Sequence, residues 1–528
     1  MTLLPHTGHA YAAFDRIARL VETWLVGRIP AVAGFSELVV RERLMQRVVE
    51  VALWPFVGMY SKQDIASAKY FPAPDKSLDC GGIILHPVDG KVSISPRLFA
   101  ASFIEFTLHW LYVLGAILSG ILPHRSSDVR PATLVFGVGA ESLFNEGNDS
   151  RFVNYCRAGP IEPLARARRL IVQCSARSGE ASTKEFMYVR FPLAALIHEA
   201  RLGAAKRLSM LVCHLASPFV LLLAVIRSPL LMLLARDIAY SNAVEILDRA
   251  RMIDTVVITN SAFSAQPLWM RGTAMRHFVV HMVWYSQNTI PFVYARDGVV
   301  SDVPNYRHIR VDQTWVWTSG YKAYLEKLGL AGTIHVVGPI LWYLPEKPQL
   351  RADGDLRIAV FDVTPVQDEV AQRIGLISNY YCATNMIRFI EEILYIRDEL
   401  ESHTGRRVRL LFKHKRGYND LHDLRYIDLI KRLSDPGAGL ELVPFQTNMY
   451  SLLSSCDLSI IVPYSSPAYV ASHLGVHAVF FDPTIELAPS FERAPNIDFA
   501  SGRDELLRLV TDAIGAKAAA VGDPAIRS

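Results

Sequence analysis

The strongest constraint on this chain lies between residues 356 and 528, where short apolar runs and helical patterns take turns. RIAVFDV, RVRLLFKHK, LELVPF, DLSIIVP and HAVFFDP are each closed by a polar residue or a proline. Between and after them stand segments with apolar residues at helical spacing: TNMIRFIEEILYIRDELES, residues 424–433, NMYSLLSSC, a segment starting near Pro467, and DELLRLVTDAIG. A short run apolar on both faces needs cover on both faces, and helices lying on either side of a parallel sheet provide it. The alternation therefore predicts a Rossmann-like α/β unit.

The same rhythm begins earlier, at Pro131. TLVFGVG, RLIVQCSA, DTVVITNS, HFVVHMVWYSQN, HIRVDQTWVW and TIHVVGPI read as strands, and TSGYKAYLEKLGL as a helix opened by a glycine turn. WYLPEKPQLRADGD, residues 342–355, reads as a linker rich in proline and charge. The expected organisation is α/β, with two Rossmann-like domains facing a cleft. It comprises a mainly helical N-terminal extension at 1–128, a first domain at 129–345 carrying an apolar helical insertion at 208–235, and a second domain at 356–528.

Composition excludes some classes of function. Of 528 residues, 51% are hydrophobic and 20% charged, which rules out a disordered chain. The 55 basic and 51 acidic residues leave a net charge of +4, a balance that calls for no nucleic-acid partner and is compatible with phosphate-bearing ligands. Six cysteines are scattered without any CxxC pair, so neither a zinc site nor a disulfide framework is expected. The opening MTLLPHTGHAYAAFDR lacks the basic, apolar and small-residue succession of a signal peptide, which predicts a cytoplasmic chain.

Two stretches are unusually apolar. Residues 101–123 have only Glu105 and His109 as strongly polar interruptions. Residues 208–235 have His214 and Arg227, and Pro218 and Pro229 divide them into pieces short for a span. A pair of core helices, a monotopic face and a true span are all open readings. The flanking Arg201, Lys206 and Arg207 would suit anionic headgroups, and equally a solvated helix end.

In an open parallel sheet, ligands bind beyond the carboxyl ends of the strands. In the second domain that rule selects Pro463-Tyr464-Ser465-Ser466-Pro467, where two hydroxyls precede a helix and can bind phosphate or simply cap it. It also selects Lys413-His414-Lys415-Arg416, whose cations suit a diphosphate or form a solvated patch. Both loops are expected to end neighbouring strands. In the first domain the loop after TLVFGVG offers Glu141 as a general base, with Asp149 second, although Glu141 at a helix start also fits a purely structural role. Asn260, Ser261, Tyr285, Gln287 and Asp312 stand near other strand ends. Gly338-Pro339 falls where the domains should meet, near a ligand backbone. Trp315 and Trp317 alternate on a strand and are expected to pack. No GxxxxGK[ST], GxSxG or HExxH string occurs. Asp353 and Asp355 form a DxD only in the linker, so no metal is expected.

Two Rossmann-like units around a cleft resemble the GT-B glycosyltransferases. The basic loop followed by Ser465-Ser466 resembles the bacterial sialyl- and Kdo-type transferases, in which a His-Pro motif and a serine motif hold the phosphate of a CMP-sugar; here Lys415 stands where that family has proline. IHVVGPI followed by RIAVFDVTP also resembles the domain join of capsule transferases and of polyol-phosphate transferases of wall polymers. The likeness spans residues 130–520. It implies a nucleotide-sugar donor, with a CMP-sugar favoured, gripped by Lys413, His414, Lys415, Ser465 and Ser466 with Gly338 nearby, and no further cofactor. It implies a glycan or lipid-linked glycan acceptor for capsule or lipopolysaccharide, and a place on the anionic inner face of the cell membrane. Three alternatives stay open: a CDP-polyol phosphotransferase using His281 or His308 as base, a two-domain sugar-nucleotide epimerase, and a non-catalytic membrane-associated scaffold.

Overall fold

The computed structural model describes the chain outside residues 1–17, 54–76, 81, 87–88, 120–130, 140–150, 175–184, 201, 261–265, 273–275, 288–292, 294, 296–304, 346–353, 374–379, 415–416, 446, 490–493 and 522–528. A small antiparallel sheet of β1 (Leu78–Cys80), β2 (Ile83–His86) and β3 (Lys91–Ile94) comes first. Two wholly parallel sheets then carry the fold.

The first comprises β4 (Ala132–Phe136), β5 (Leu170–Gln173), β6 (Phe186–Val189), β7 (Ile253–Thr259), β8 (Val279–Val283), β9 (Gln313–Val316) and β10 (Thr333–Val336), in the order β10-β9-β8-β7-β4-β5-β6. The second comprises β11 (Leu356–Phe361), β12 (Val408–Lys413), β13 (Leu440–Val443), β14 (Leu458–Ile461), β15 (His477–Asp482) and β16 (Ile497–Ser501), in the order β13-β12-β11-β14-β15-β16. Each sheet starts at its middle, winds outward to one side, then returns and winds outward to the other. The reversals fall between β4 and β7 and between β11 and β14, and each opens a crevice at the strand ends where a ligand can enter. This is the expected α/β architecture of two Rossmann-like lobes with helical extensions, the GT-B arrangement. Every residue of β14 is buried, as a strand covered on both faces requires.

A continuous core joins the lobes. Trp342, fully buried just after the first lobe, meets Phe152 at 5.2 Å, Tyr155 at 5.3 Å and Tyr285 at 6.0 Å between ring centroids. The same cluster runs on into Phe361, Tyr450 and Tyr469 of the second lobe.

The helices that matter below are α1 (Glu37–Val48), α2 (Pro96–Ser119), α3 (Pro192–Glu199), α4 (Ala204–Arg227), α5 (Ala235–Arg249), α6 (Leu424–Leu433) and α7 (Pro467–His473). α1 is fixed to the first lobe by one buried and one part-buried ion pair. Arg43 meets Asp237 of α5 at 2.7 Å, and Arg310 grips Glu42 through two nitrogens. α2 packs on α3, α4 and α5, so the extension and the apolar insertion form one helical layer.

The insertion departs from expectation at Pro218. The proline does not divide it; α4 runs through Pro218 without interruption, and the break comes at Pro229, where a short 3-10 turn begins. Proline has no N–H, so it leaves the carbonyl four residues earlier without its helical donor. That carbonyl belongs to His214, and it accepts instead from Ser217 Oγ at 2.8 Å and from Trp110 Nε1 of α2 at 3.0 Å. The helix survives its proline because a neighbouring helix supplies a donor.

Candidate functional site

The crevice of the second lobe is formed by the residues after β11, Asp362 to Thr364, and those after β14, Val462 to Ser466. The two segments touch through the Val462 N–H, which donates to Phe361 O at 3.1 Å. Asp362 is buried and accepts a hydrogen bond from the Tyr426 hydroxyl of α6. The Tyr381 hydroxyl donates to Pro463 O at 2.9 Å. Tyr464 adopts a left-handed backbone, φ +62°, which turns the chain sharply between strand and helix. Its hydroxyl donates to Ala488 O in the loop after β15.

The loop after β15 is held by one carboxylate. Asp482, with no exposed surface, accepts at Oδ1 from Tyr380 Oη (2.5 Å), Thr484 N (2.8 Å) and Thr484 Oγ1 (2.6 Å), and at Oδ2 from Glu486 N (2.8 Å) and Leu487 N (2.7 Å). The loop fixed in this way pairs with the first lobe: Ala295 N donates to Glu486 O and Ala488 N to Val293 O, both at 2.9 Å.

The two serines lie at the junction of the lobes. Ser466 Oγ accepts from Gln287 N at 3.0 Å and shares a hydrogen bond with Ser286 Oγ at 3.2 Å, both groups belonging to the loop after β8. Ser465 is buried beside it. Gln287 is fastened in turn, its Nε2 donating to Thr318 Oγ1 at 2.7 Å. Across the first lobe's own crevice, Thr259 Oγ1 donates to Gly137 O at 2.6 Å.

The basic loop is placed differently from expectation. Lys413 ends β12 and Ser465 follows β14, and β11 lies between those strands, so the two loops do not end neighbouring strands. Two strand spacings, roughly 10 Å, separate them. Sequence alone could not exclude adjacency, because the chain order β12, β13, β14 hides the return to β11's far side. The Lys413 ammonium is buried and donates to Phe445 O at 2.6 Å, near the end of β13. Burial, reinforced by the Lys413 charge, pushes the His414 imidazole down to about 4, so it is neutral at pH 7. Its ring shares hydrogen bonds of 3.0 and 3.1 Å with the Tyr418 hydroxyl. A neutral imidazole beside a cation can orient a phosphate without adding charge.

Gly338 has φ +79°, and a side chain there would meet the His473 ring of α7 at 3.1 Å. It is a point of close approach between lobes, as is Pro339, whose carbonyl accepts from Tyr450 Oη at 3.2 Å. Glu141, Asp149, Ser261, Lys415 and Arg416 lie outside the described residues. Asn260 Oδ1 accepts from Tyr285 N at 3.1 Å, and Asp312 pairs with Arg276 at 2.6 Å. Trp315 and Trp317 are buried packing residues, as expected.

The histidines named for the phosphotransferase alternative are both buried within the first lobe. His281 accepts from Trp315 Nε1 at 3.1 Å, and burial pushes its ring down to about 4. His308 is held far below its usual range by burial and by Arg307, Arg271, Arg310 and Arg41.

Sequence reasoning overlooked Asp362, Ser286, Tyr381 and Asp482. Their importance depends on which strands flank the crevice, and only the spacing DVTP after a strand hinted at the first.

Comparison with solved structures finds the glycosyltransferase SnogD from Streptomyces nogalater at 14% identity, covering 75% of this chain and 93% of that one, TM-score 0.34. The calicheamicin glycosyltransferase CalG4 is similar at 12% identity over 75% of this chain and 92% of that one, TM-score 0.36. The wall teichoic acid polymerase TagF is similar at 11% identity over 80% and 89%, TM-score 0.36. Comparison with curated protein sequences finds no match. Residues 220–510 match the family described as polysaccharide biosynthesis PFTS motif proteins. Within that region Pro463-Tyr464-Ser465-Ser466 keeps the proline and final serine of those four letters, with an aromatic and a hydroxyl residue between. The match covers more than half of the chain, and the protein belongs to the polysaccharide-biosynthesis PFTS-motif family.

Proposed function

We propose that the protein is a glycosyltransferase that moves a sugar from a nucleotide-activated donor, a CMP-sugar first among the candidates, to a lipid-linked or growing surface glycan. The observation that carries this reading is the position of the Pro463–Ser466 loop: it occupies the second lobe's topological switch point and touches the first lobe through Ser466. Donor phosphate would lie on the Ser465 and Ser466 hydroxyls, with Lys413 and His414 at the end of β12, two strands away, offering positive charge and a ring nitrogen toward the rest of the donor; Lys415 belongs to the same candidate grip. These groups would stabilise the negative charge that grows on the leaving nucleotide. The acceptor hydroxyl oxygen attacks the anomeric carbon and forms the new C–O bond. The bond to the nucleotide breaks with its electron pair, and the acceptor proton passes to a first-lobe carboxylate, Glu141 or Asp149. The lobes' contact through Ser466 and Gly338 would exclude water from the activated donor.

Among the described residues two helices, α2 and α4, are long and apolar enough to cross a membrane, and they support a place on the inner face of the cell membrane, where a lipid-linked acceptor is presented. Calorimetric titration with CMP, CDP, UDP, UMP and GDP tests the donor. Binding of one of them, weakened about tenfold by Ser465→Ala through loss of a hydrogen bond to a charged phosphate, is the expected result. Binding of none, or equal binding by Ser465→Ala, would overturn the site.

A further inference from the structure

The helical layer leaves an apolar face uncovered. Along α4 the exposed side chains are Leu208, Val212, Leu215, Phe219, Leu222 and Ile226, spaced four and three residues apart on one stripe, with Phe219 70% and Ile226 71% exposed. α2 repeats the pattern with Ile104, Leu108, Leu111 and Leu118. The histidines of both helices turn inward, His109 bonding Tyr240 Oη at 3.0 Å and His214 Nε2 donating to Trp110 O at 2.9 Å, while Glu105, partly exposed, is neutralised 3.5 Å from both Arg47 and Arg236. Between Arg207 and Arg227 no charged residue occurs at all. A helix-pairing seam would carry charges along its margins, whereas a face apolar to its margins with cations only at its ends (Arg97, Lys206, Arg227) matches a bilayer and its anionic headgroups.

Beside this face a groove of about 610 Å³ opens between α2, α3 and the end of β6. Leu111, Ala116, Met187 and Val189 give it apolar walls. Its acid, Glu199, is ion-paired with Arg169. Arg190, exposed and resting over the Phe191 ring at 5.4 Å, pairs with no carboxylate among the described residues and leaves positive charge at the groove. Because all seven strands are parallel, residues following β6 lie on the same rim as Gly137 and Tyr285 to Gln287. The groove thus joins the membrane face to the strand-end rim.

We propose that this groove holds the head of a phosphorylated long-chain lipid, with its phosphate on Arg190 and the first carbons of its chain between α2 and β6, while the remainder stays in the bilayer against α2 and α4. Its identification as the carrier of the acceptor glycan rests on the transfer reading above; the binding itself does not.

The test is co-sedimentation of the full chain with phosphatidylcholine vesicles, plain or doped with a polyprenyl monophosphate or with phosphatidylglycerol. Plain vesicles should bind the protein, and Phe219→Glu with Leu222→Glu should release it. Polyprenyl phosphate should strengthen binding about tenfold, as a guanidinium–phosphate pair allows, and more than phosphatidylglycerol at equal charge. Gly115→Phe should abolish that gain and keep the baseline. A Cβ at Gly115 meets nothing within 4 Å, so the helix accepts it and the ring fills the groove. Arg190→Gln should do the same through charge. Equal enrichment by phosphatidylglycerol, a gain that survives both variants, or a lipid-free dimer abolished by Phe219→Glu would each overturn the proposal. If no nucleotide binds yet both groove variants lose the gain, the transfer reading falls and the lipid site stands.

Discussion

Replacing Asp482 with asparagine should unfasten the junction between the lobes. The carboxylate has no exposed surface and collects five donors, three on Oδ1 and two, Glu486 N and Leu487 N, on Oδ2. Asparagine keeps one oxygen, which can continue to serve Tyr380 and Thr484. Its amide must then face the Glu486 and Leu487 N–H groups, leaving one buried donor, Leu487, and one part-buried donor, Glu486, without an acceptor, at up to about 1–3 kcal/mol each. The expected loss is about 2–6 kcal/mol, or a fall in melting temperature on the order of 10 °C for a lobe of this size. The loop released is the one that pairs with Val293 and Ala295 and accepts the Tyr464 hydroxyl, so nucleotide binding should fall with stability. Thermal unfolding followed by calorimetry, with limited proteolysis to locate new cleavage near residues 483–488, reads both effects. A variant that melts within about 2 °C of the parent and keeps its loop intact would refute the assignment of Asp482 as the anchor, since even one orphaned donor costs more.

Two other outcomes follow from the structure. Ser217→Ala alone leaves the His214 carbonyl its bond from Trp110, and Trp110→Phe alone leaves its bond from Ser217; together they orphan it, so the double variant should lose about 1–3 kcal/mol beyond the sum of the singles in a thermal double-mutant cycle. Acidification should destabilise the protein between about pH 6.5 and 4: an unfolded histidine takes its proton near 6.5, whereas folded His414 and His281 resist protonation until about 4, so stability is lost as pH falls through that window. His414→Asn should flatten part of that acid limb in a pH series of melting temperatures.

Much of the second lobe was legible because its strands are nearly homogeneous apolar runs. β14 and β15 are buried on both faces, and such a strand is apolar along most of its length, with Ser459 and Asp482 as hydrogen-bonded exceptions, so the run of apolar residues reveals it. The serine loop was legible for the same reason, being the polar residues left when an apolar run stops. The arrangement of the loops was not. The loops of Lys413 and Ser465 were expected to end neighbouring strands, but strand pairing inserts β11 between β12 and β14. Asp482 carries no distinguishing signal in the sequence, and its role emerges only from five donors brought by segments before and after it.

What the sequence determined by itself is local: the alternation of strand and helix, the glycine and proline punctuation, the two apolar stripes, and hydroxyls where a strand ends. These follow from backbone propensity and from the need to bury apolar faces, which act over a few residues at a time. Only the tertiary structure decided the rest. Pro218 sits inside a helix because Trp110, far away in the chain, offers a donor. The switch points exist because the sheets reverse direction between β4 and β7 and between β11 and β14. Ser466 belongs to both lobes because Gln287 meets it there. Each depends on hydrogen-bonding partners remote in sequence, and a single chain read in order does not reveal which remote groups will meet.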